Sequence, residues 1–152
     1  MISLVLYEKS FLDRLLDIFY SSVHGSARND YSKPQLDAWA PEDPDRHVWE
    51  EKLSKELVVV GVDENGEIAG FGSLDEGKGY IDLLFVDPEF QKIGIGSMIL
   101  SHLESKASKR TYAFSSKNAL PFFLKAGYVV VRENHVVRNG LTITNYLVEK
   151  NQ

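Results

Sequence analysis

Val86-Asp87-Pro88-Glu89-Phe90-Gln91-Lys92-Ile93-Gly94-Ile95-Gly96 is the stretch on which the fold turns. A strand-type run, Tyr80-Ile81-Asp82-Leu83-Leu84-Phe85-Val86, enters it, and a helical pattern from Ser97 to Ala107 leaves it. A strand feeding a tight loop that opens a helix leaves several backbone N–H groups unpaired and aimed outward. The helix dipole adds positive potential there, so the arrangement predicts an anion site suited to pyrophosphate. Gly94 and Gly96 keep side chains from holding the phosphates off the backbone.

Two phosphate-loop types are excluded. A Walker loop needs Gly-Lys followed by Ser or Thr, and no such run occurs. A dinucleotide fingerprint needs a third Gly at the sixth position, where Ile99 stands. What remains is Gln91-x-x-Gly94-x-Gly96 after Val86-x-Pro88.

Bulk properties narrow the class. The chain of 152 residues is expected to be one domain, 1–152, long enough to bury a core. Its hydrophobic share of 43% and charged share of 26% are those of an ordinary globular protein. A net charge of −5 argues against nucleic acid or an anionic membrane as partner, since both need a basic field. It suits a cationic small substrate. With no Cys, disulfides, thiolate catalysis and Cys-based zinc sites are excluded, and a reducing cytoplasm is the fitting compartment. The first apolar run stops at Glu8 and Lys9 without a signal-peptide cleavage site, and no apolar run is long enough to span a bilayer.

In chain order, Ile2 to Tyr7 reads as a strand. Ser10 offers a helix cap, with Phe11, Leu12, Leu15, Leu16 and Phe19 on one helical face. Ser22 to Asp30, containing Gly25, is expected to be a loop. Ser32 with Gln35 opens a second helix, and Asp43-Pro44 a third that presents Val48, Trp49 and Leu53 inward. Leu57 to Val62 and Ile68 to Leu74 form a hairpin through Asn65-Gly66, and Tyr80 to Val86 completes a meander. After the loop and its helix come a strand at Thr111 to Ser115, a helix at Ala119 to Ala126 ended by Gly127, and strands at Tyr128 to Glu133 and Leu141 to Glu149.

That order, with the Gln91–Gly96 loop, resembles the GCN5-related N-acetyltransferase (GNAT) superfamily over nearly the whole chain. Asn118-x-x-Pro121-Phe122-Phe123-Leu124-Lys125-Ala126-Gly127-Tyr128 is similar to a second family segment. The resemblance implies an α/β (α+β) fold: a mixed, mostly antiparallel sheet of about seven strands flanked by four or five helices. It implies acetyl-CoA as cosubstrate, no metal, an amine acceptor and, at family level, a homodimer. Gln91, Lys92, Ile93, Gly94, Ile95, Gly96 and Ser97 would hold the pyrophosphate. Leu84, Phe85 and Val86 would face the pantetheine arm, with Asn118 reaching it from the far side and Phe122 and Phe123 walling it in. The N–H of Phe85 or Val86 is the expected oxyanion donor.

Acetylation needs a neutral amine, yet a lysine-like amine has a pKa of about 10.4, so a base must remove a proton. Asp82 is the first candidate: Asp is depleted in strand interiors, and alternation puts it on one face with Tyr80 and Leu84. The family's histone-modifying members have their acidic base at the position of Tyr80, so Asp82 is a shifted candidate. The alternative is a structural carboxylate paired with a Lys, Arg or backbone group. Many family members carry a Tyr where this chain has Phe123, so that thiolate protonation falls to Tyr128, Tyr80, water or the protonated product. His24, Tyr31 and Trp39 are candidates for the acceptor pocket; core packing or capping is the competing reading of each. A non-catalytic acyl-CoA-binding domain is the rival to an enzyme. A third reading is an α/β domain binding another phosphorylated ligand.

Overall fold

The computed structural model describes residues 1–91 and 93–151. Strands β1 (Ser3–Leu6), β2 (Leu57–Val62), β3 (Ile68–Asp75), β4 (Tyr80–Val86), β5 (Arg110–Ser115), β6 (Val129–Arg138) and β7 (Leu141–Asn151) make one sheet in the order β1-β2-β3-β4-β5-β7-β6. Every neighbouring pair is antiparallel except β4 with β5. Five helices flank it: α1 (Leu12–Ser26), α2 (Lys33–Trp39), α3 (Arg46–Lys55), α4 (Ile95–Lys106) and α5 (Leu120–Lys125). This is the expected mixed sheet and helix complement.

Two cores lie on opposite faces. Leu15, Ile18 and Phe19 of α1, Leu36 of α2 and Leu53 of α3 pack with Val58, Val60, Phe71 and Leu83. Ile95, Ile99 and Leu103 of α4 and Phe123 of α5 pack with Val59, Leu74, Ile81, Ala113 and Val148. The alternation of Val58, Val59 and Val60 between these cores is what a strand buried on both faces requires.

Ser10 does not cap α1, which opens at Leu12 with no side-chain cap, and the helix boundaries depart from sequence expectation in three further places. First, α1 runs on through Ser22 to Ser26 instead of ending in a loop. Ser22 and Val23 are buried, and Gly25 lets the helix approach Pro88, whose Cγ would lie 3.3 Å from an added Cβ. Second, α3 starts later, capped by Asp45, whose carboxylate accepts from the N–H groups of His47 and Val48. That rotation leaves Val48 55% exposed while Leu53 stays buried. Third, α5 begins at Leu120 rather than Ala119, and no side chain caps it. The capping box of Ser32 and Gln35 forms as the sequence predicts.

The decisive feature is a gap inside the sheet. β4 and β5 pair at Tyr80 with Tyr112 and at no further position among the described residues. Beyond that point the two strands diverge, leaving one edge of β4 without a neighbour. No helix among the described residues is long and apolar enough to cross a membrane.

Candidate active site

The diverging strands open a cleft of about 660 Å³. Leu84, Phe85 and Val86 form one wall, Ser116, Asn118, Phe122 and Phe123 the other, and Gln91 with Gly94 to Ser97 the far end. The last turn of α1 adds Ser22, Gly25 and Ser26 as a rim, and Trp39 of α2 also lines the space. Gln91 is fastened to that rim, its Nε2 donating to Ser26 Oγ at 3.0 Å. The α1 rim escaped the sequence reading because Gly25 masks the helical pattern there.

The two glycines of the loop act for different reasons. Gly94 sits at φ 83° as the residue before α4, with open space around it, so its requirement is conformational. Gly96 has an ordinary φ, but an added Cβ would lie 3.3 Å from the Phe122 ring, so its requirement is room. The first turn of α4 leaves the N–H groups of Ile95, Gly96 and Ser97 without intrahelical acceptors. Among the described residues no other acceptor meets them. Ile93 is 60% exposed beside this turn and does not line the cleft. Lys92, also assigned to this loop from sequence, lies outside the described residues.

Backbone directions along β4 can be read from its contacts with β3. The carbonyls of Leu83 and Phe85 face β3, within 3.2 Å and 3.0 Å of where a Cβ on Gly72 or Gly70 would stand. The Leu83 N–H donates to Ser73 Oγ at 3.1 Å and that of Asp87 to Ala69 O at 2.8 Å. Strand groups alternate, so the N–H and C=O of Leu84 and Val86 face the cleft. Of the two expected oxyanion donors, Val86 points toward the opening and Phe85 toward β3.

On the opposite wall, Asn118 Oδ1 is buried without a hydrogen-bond partner. An orphaned buried acceptor costs about 1–3 kcal/mol unless something supplies a donor. A CoA arm has amide N–H groups to offer, the exposed edge of β4 can pair with them, and the N–H groups opening α4 suit its diphosphate. The residues present therefore fit this cofactor.

Asp82 lies at a β-bulge. Ser73 pairs with Leu83 and Leu74 with Ile81, leaving Asp82 unmatched. The bulge breaks strict alternation: Asp82 shares the face of Tyr80, Leu83 and Phe85, while Leu84 turns to the α4 core. The expected grouping of Asp82 with Leu84 is thus corrected, and that with Tyr80 holds. Asp82 is 11% exposed and paired with Lys52 Nζ at 2.8 Å. Glu56, between α3 and β2, lies beside both Asp82 and Ser73. Its Oε1 is buried without a partner. Burial first, then the neighbouring Asp82, push the Glu56 carboxyl up to about 7, against opposing pulls from Ser73 and Lys52. Burial, and after it Asp82, also raise the Tyr80 phenol well above its usual range. Tyr80 stacks on Tyr112, ring centroids 5.0 Å apart, at the apex where the strands part. The sequence offered only a faint sign of Glu56: a carboxylate abutting the buried run Leu57 to Val60.

Asp82, Tyr80 and Glu56 are not among the residues that line the cleft, and neither are Tyr128, Tyr31 and His24. Tyr128 is buried on the α4 face, its hydroxyl 2.8 Å from Thr111 Oγ1 and donating to Glu104 Oε2 at 2.8 Å. Burial, with Glu104 adding to it, raises its phenol well above the usual range despite Thr111. Tyr31 donates to Thr144 O at 2.6 Å and accepts from the Lys117 N–H at 3.0 Å, bracing the α2 side against β7 and the turn after β5. Burial raises its phenol too, opposed by that Lys117 N–H. His24 Nε2 lies 2.8 Å from Ala40 O, and its ring stacks on Tyr20. Of the three acceptor-pocket candidates, only Trp39 reaches the cleft wall.

Comparison with known proteins agrees with this architecture. Residues 27–150 match the family model described as an acetyltransferase (GNAT) domain. The uncharacterized N-acetyltransferase YafP of Escherichia coli (strain K12) is 37% identical over 140 residues, 92% of this chain and 89% of its own. The crystal structure of a GCN5-related N-acetyltransferase from Rhodopseudomonas palustris, also labelled "Aminotransferase, Class-II", superposes with a TM-score of 0.93 at 30% identity, covering 99% of this chain and 95% of that one. The PaiA N-acetyltransferase of Thermoplasma acidophilum, solved in complex with coenzyme A, shares the fold at a TM-score of 0.80 and 16% identity, over 100% and 99% of the two chains. The chain belongs to the GNAT acetyltransferase family.

Proposed function

We propose that this chain, acting as one domain, is an acetyl-CoA-dependent N-acetyltransferase that moves an acetyl group to a primary amine by direct attack of the amine on the thioester. The observation that carries this reading is the unpaired edge of β4, leading from the opening turn of α4 back to the Tyr80–Tyr112 apex. The N–H groups of Ile95, Gly96 and Ser97 would hold the diphosphate, with Gln91, Ile93 and Gly94 in the loop before them. Leu84 and Val86 would bond the pantetheine arm along the free edge of β4, Asn118 would contact it, and Phe122 and Phe123 would cover it. The coenzyme supplies an activated thioester. The chain's part is to fix it, to offer the N–H of Val86 or Leu84 to the developing oxyanion, and to relieve the amine of its proton.

The relatives named N-acetyltransferases and the coenzyme A bound to PaiA support the cosubstrate assignment. Release of free CoA thiol over a panel of polyamines, aminoglycosides, amino acids and lysine peptides tests the reaction. Turnover with at least one amine is expected. Protection from melting by acetyl-CoA with no thiol release from any amine favours a non-catalytic acyl-CoA-binding domain. The observation behind that second reading is Phe123, which has no acidic hydrogen where many relatives carry Tyr.

A further inference from the structure

We infer that Glu56 is the proton acceptor for the amine, and that Asp82, locked to Lys52, positions it. The inference rests on the acetyltransferase reading and adds to it a residue from outside the motifs. Its argument is geometric. Asp82 has Lys52 Nζ at 2.8 Å on one carboxylate oxygen, so its orientation is set. Glu56 beside it lies within hydrogen-bond reach of the Asp82 carboxylate and Ser73, and among the described residues no donor meets its buried Oε1. The bulge turns Asp82 onto the face of β4 that also carries Phe85, a cleft-lining residue. A thioester seated from the α4 turn has its reactive end toward the apex. Val86 to Asp82 is about 13 Å at about 3.3 Å per residue, which brings that end level with the carboxylates. Neither Glu56 nor Asp82 lines the cleft itself, so an ammonium arriving there would pass its proton to Glu56 through a bridging water.

The groups facing Glu56 are Lys52 from α3, Ser73 from β3, and Asp82 and Tyr80 from β4. Two carboxylates share one lysine, so the site keeps an unbalanced negative charge that favours a cation. It also keeps one carboxylate able to take a proton near neutral pH.

The protons balance without a dedicated acid. Glu56 takes one proton from R–NH3⁺, giving R–NH2 and a neutral carboxyl. The nitrogen lone pair attacks the thioester carbonyl; the C–N bond forms, the C–S bond breaks, and the electron pair leaves on sulfur. The second proton lost from nitrogen goes to that thiolate, and Glu56 returns its own to water. Phe123 at the usual tyrosine position is compatible with this route.

The test is a pH profile of kcat/KM on the full chain with an amine that releases CoA. The wild type gains activity as pH rises through about 7, where Glu56 loses its proton. Glu56→Gln removes that limb and cuts the rate by roughly 100-fold or more, with the acetyl-CoA melting shift retained as evidence of folding. Lys52→Met moves the limb to higher pH and Asp82→Asn to lower pH, displacements that loss of structure alone does not produce. Glu56→Gln with wild-type rate and limb overturns the inference and leaves the acetyltransferase reading standing. A wild type that binds acetyl-CoA but acetylates no amine sinks that reading, and this inference with it. Independently of turnover, a carbon-13 titration that finds the Glu56 carboxyl near the ordinary value of about 4.3 overturns the assignment.

Discussion

The loop end of the cleft and the carboxylate face of β4 are built in opposite ways. Every group proposed to meet a diphosphate comes from one short run between Gln91 and Ser97, and nearly all of them are backbone. The carboxylate cluster draws on α3, the turn after it, β3 and a bulge in β4: Lys52, Glu56, Ser73 and Asp82. Backbone chemistry tolerates many side chains and demands particular conformations, so it writes glycines at fixed spacing. Side-chain chemistry demands particular residues, and the fold, not the spacing, gathers them.

The sharpest way to break this contrast is at the backbone end. Gly96→Leu pushes a side chain into the Phe122 ring and over the N–H groups that would grip the diphosphate. In the wild type, acetyl-CoA at a hundred times its dissociation constant should stabilise the fold by about 2.7 kcal/mol, roughly 5–10 °C in melting temperature. The variant should show no shift while its far-UV circular dichroism stays native. A full shift in Gly96→Leu places the grip elsewhere.

The same contrast explains which parts were legible in advance. Gly94 and Gly96, the Ser32–Gln35 capping box and the Asn65-Gly66 turn are local devices, and each shows in the residues that form it. What escaped depends on contacts between distant segments. α1 continues through Gly25 because Pro88 packs against it, which nothing near Gly25 announces. The bulge at Asp82 arises from pairing with β3, so alternation placed Leu84 on the wrong face. Glu56 follows a helix like an ordinary polar residue, since only Lys52 among its neighbours is near in sequence while Ser73 and Asp82 come from 17 and 26 positions away. Tyr31 was read as a pocket residue, and its hydroxyl proves to join α2's loop to β7.

Tyr31→Phe tests the seam between the segment leading into α2 and the β5–β7 half of the sheet. It strands the part-buried Thr144 carbonyl and the Lys117 N–H together, for an expected loss of about 1 kcal/mol by denaturant unfolding. An unchanged midpoint would mean that water replaces the hydroxyl without cost. Asn118→Leu should act with two signs. The free protein loses an unsatisfied buried oxygen and gains up to about 1 kcal/mol, while acetyl-CoA binding weakens by about tenfold. Calorimetry of cofactor binding beside a melt of the free protein separates the two effects. Equal affinity in the variant removes Asn118 from the arm.

The smallest expected effect bears on the carboxylate face without any ligand. In the folded chain the Glu56 carboxyl is raised from its usual range to about 7. Between the unfolded and folded values the native state therefore binds more protons than the unfolded state, so this group's contribution falls as pH rises. It is fully present below the unfolded value and lost as pH passes through about 7. Glu56→Gln has no such proton to lose. Its melting temperature should match the wild type near pH 4 and exceed it at pH 8, by about 2 °C given solvent screening at a half-buried site. The direction is the decisive part: a Glu56 held as a structural anion by Lys52 would make the variant less stable at pH 8. That reversed sign would move the unbalanced charge away from Glu56 and leave Asp82 as the only carboxylate of the pair free to answer an incoming amine.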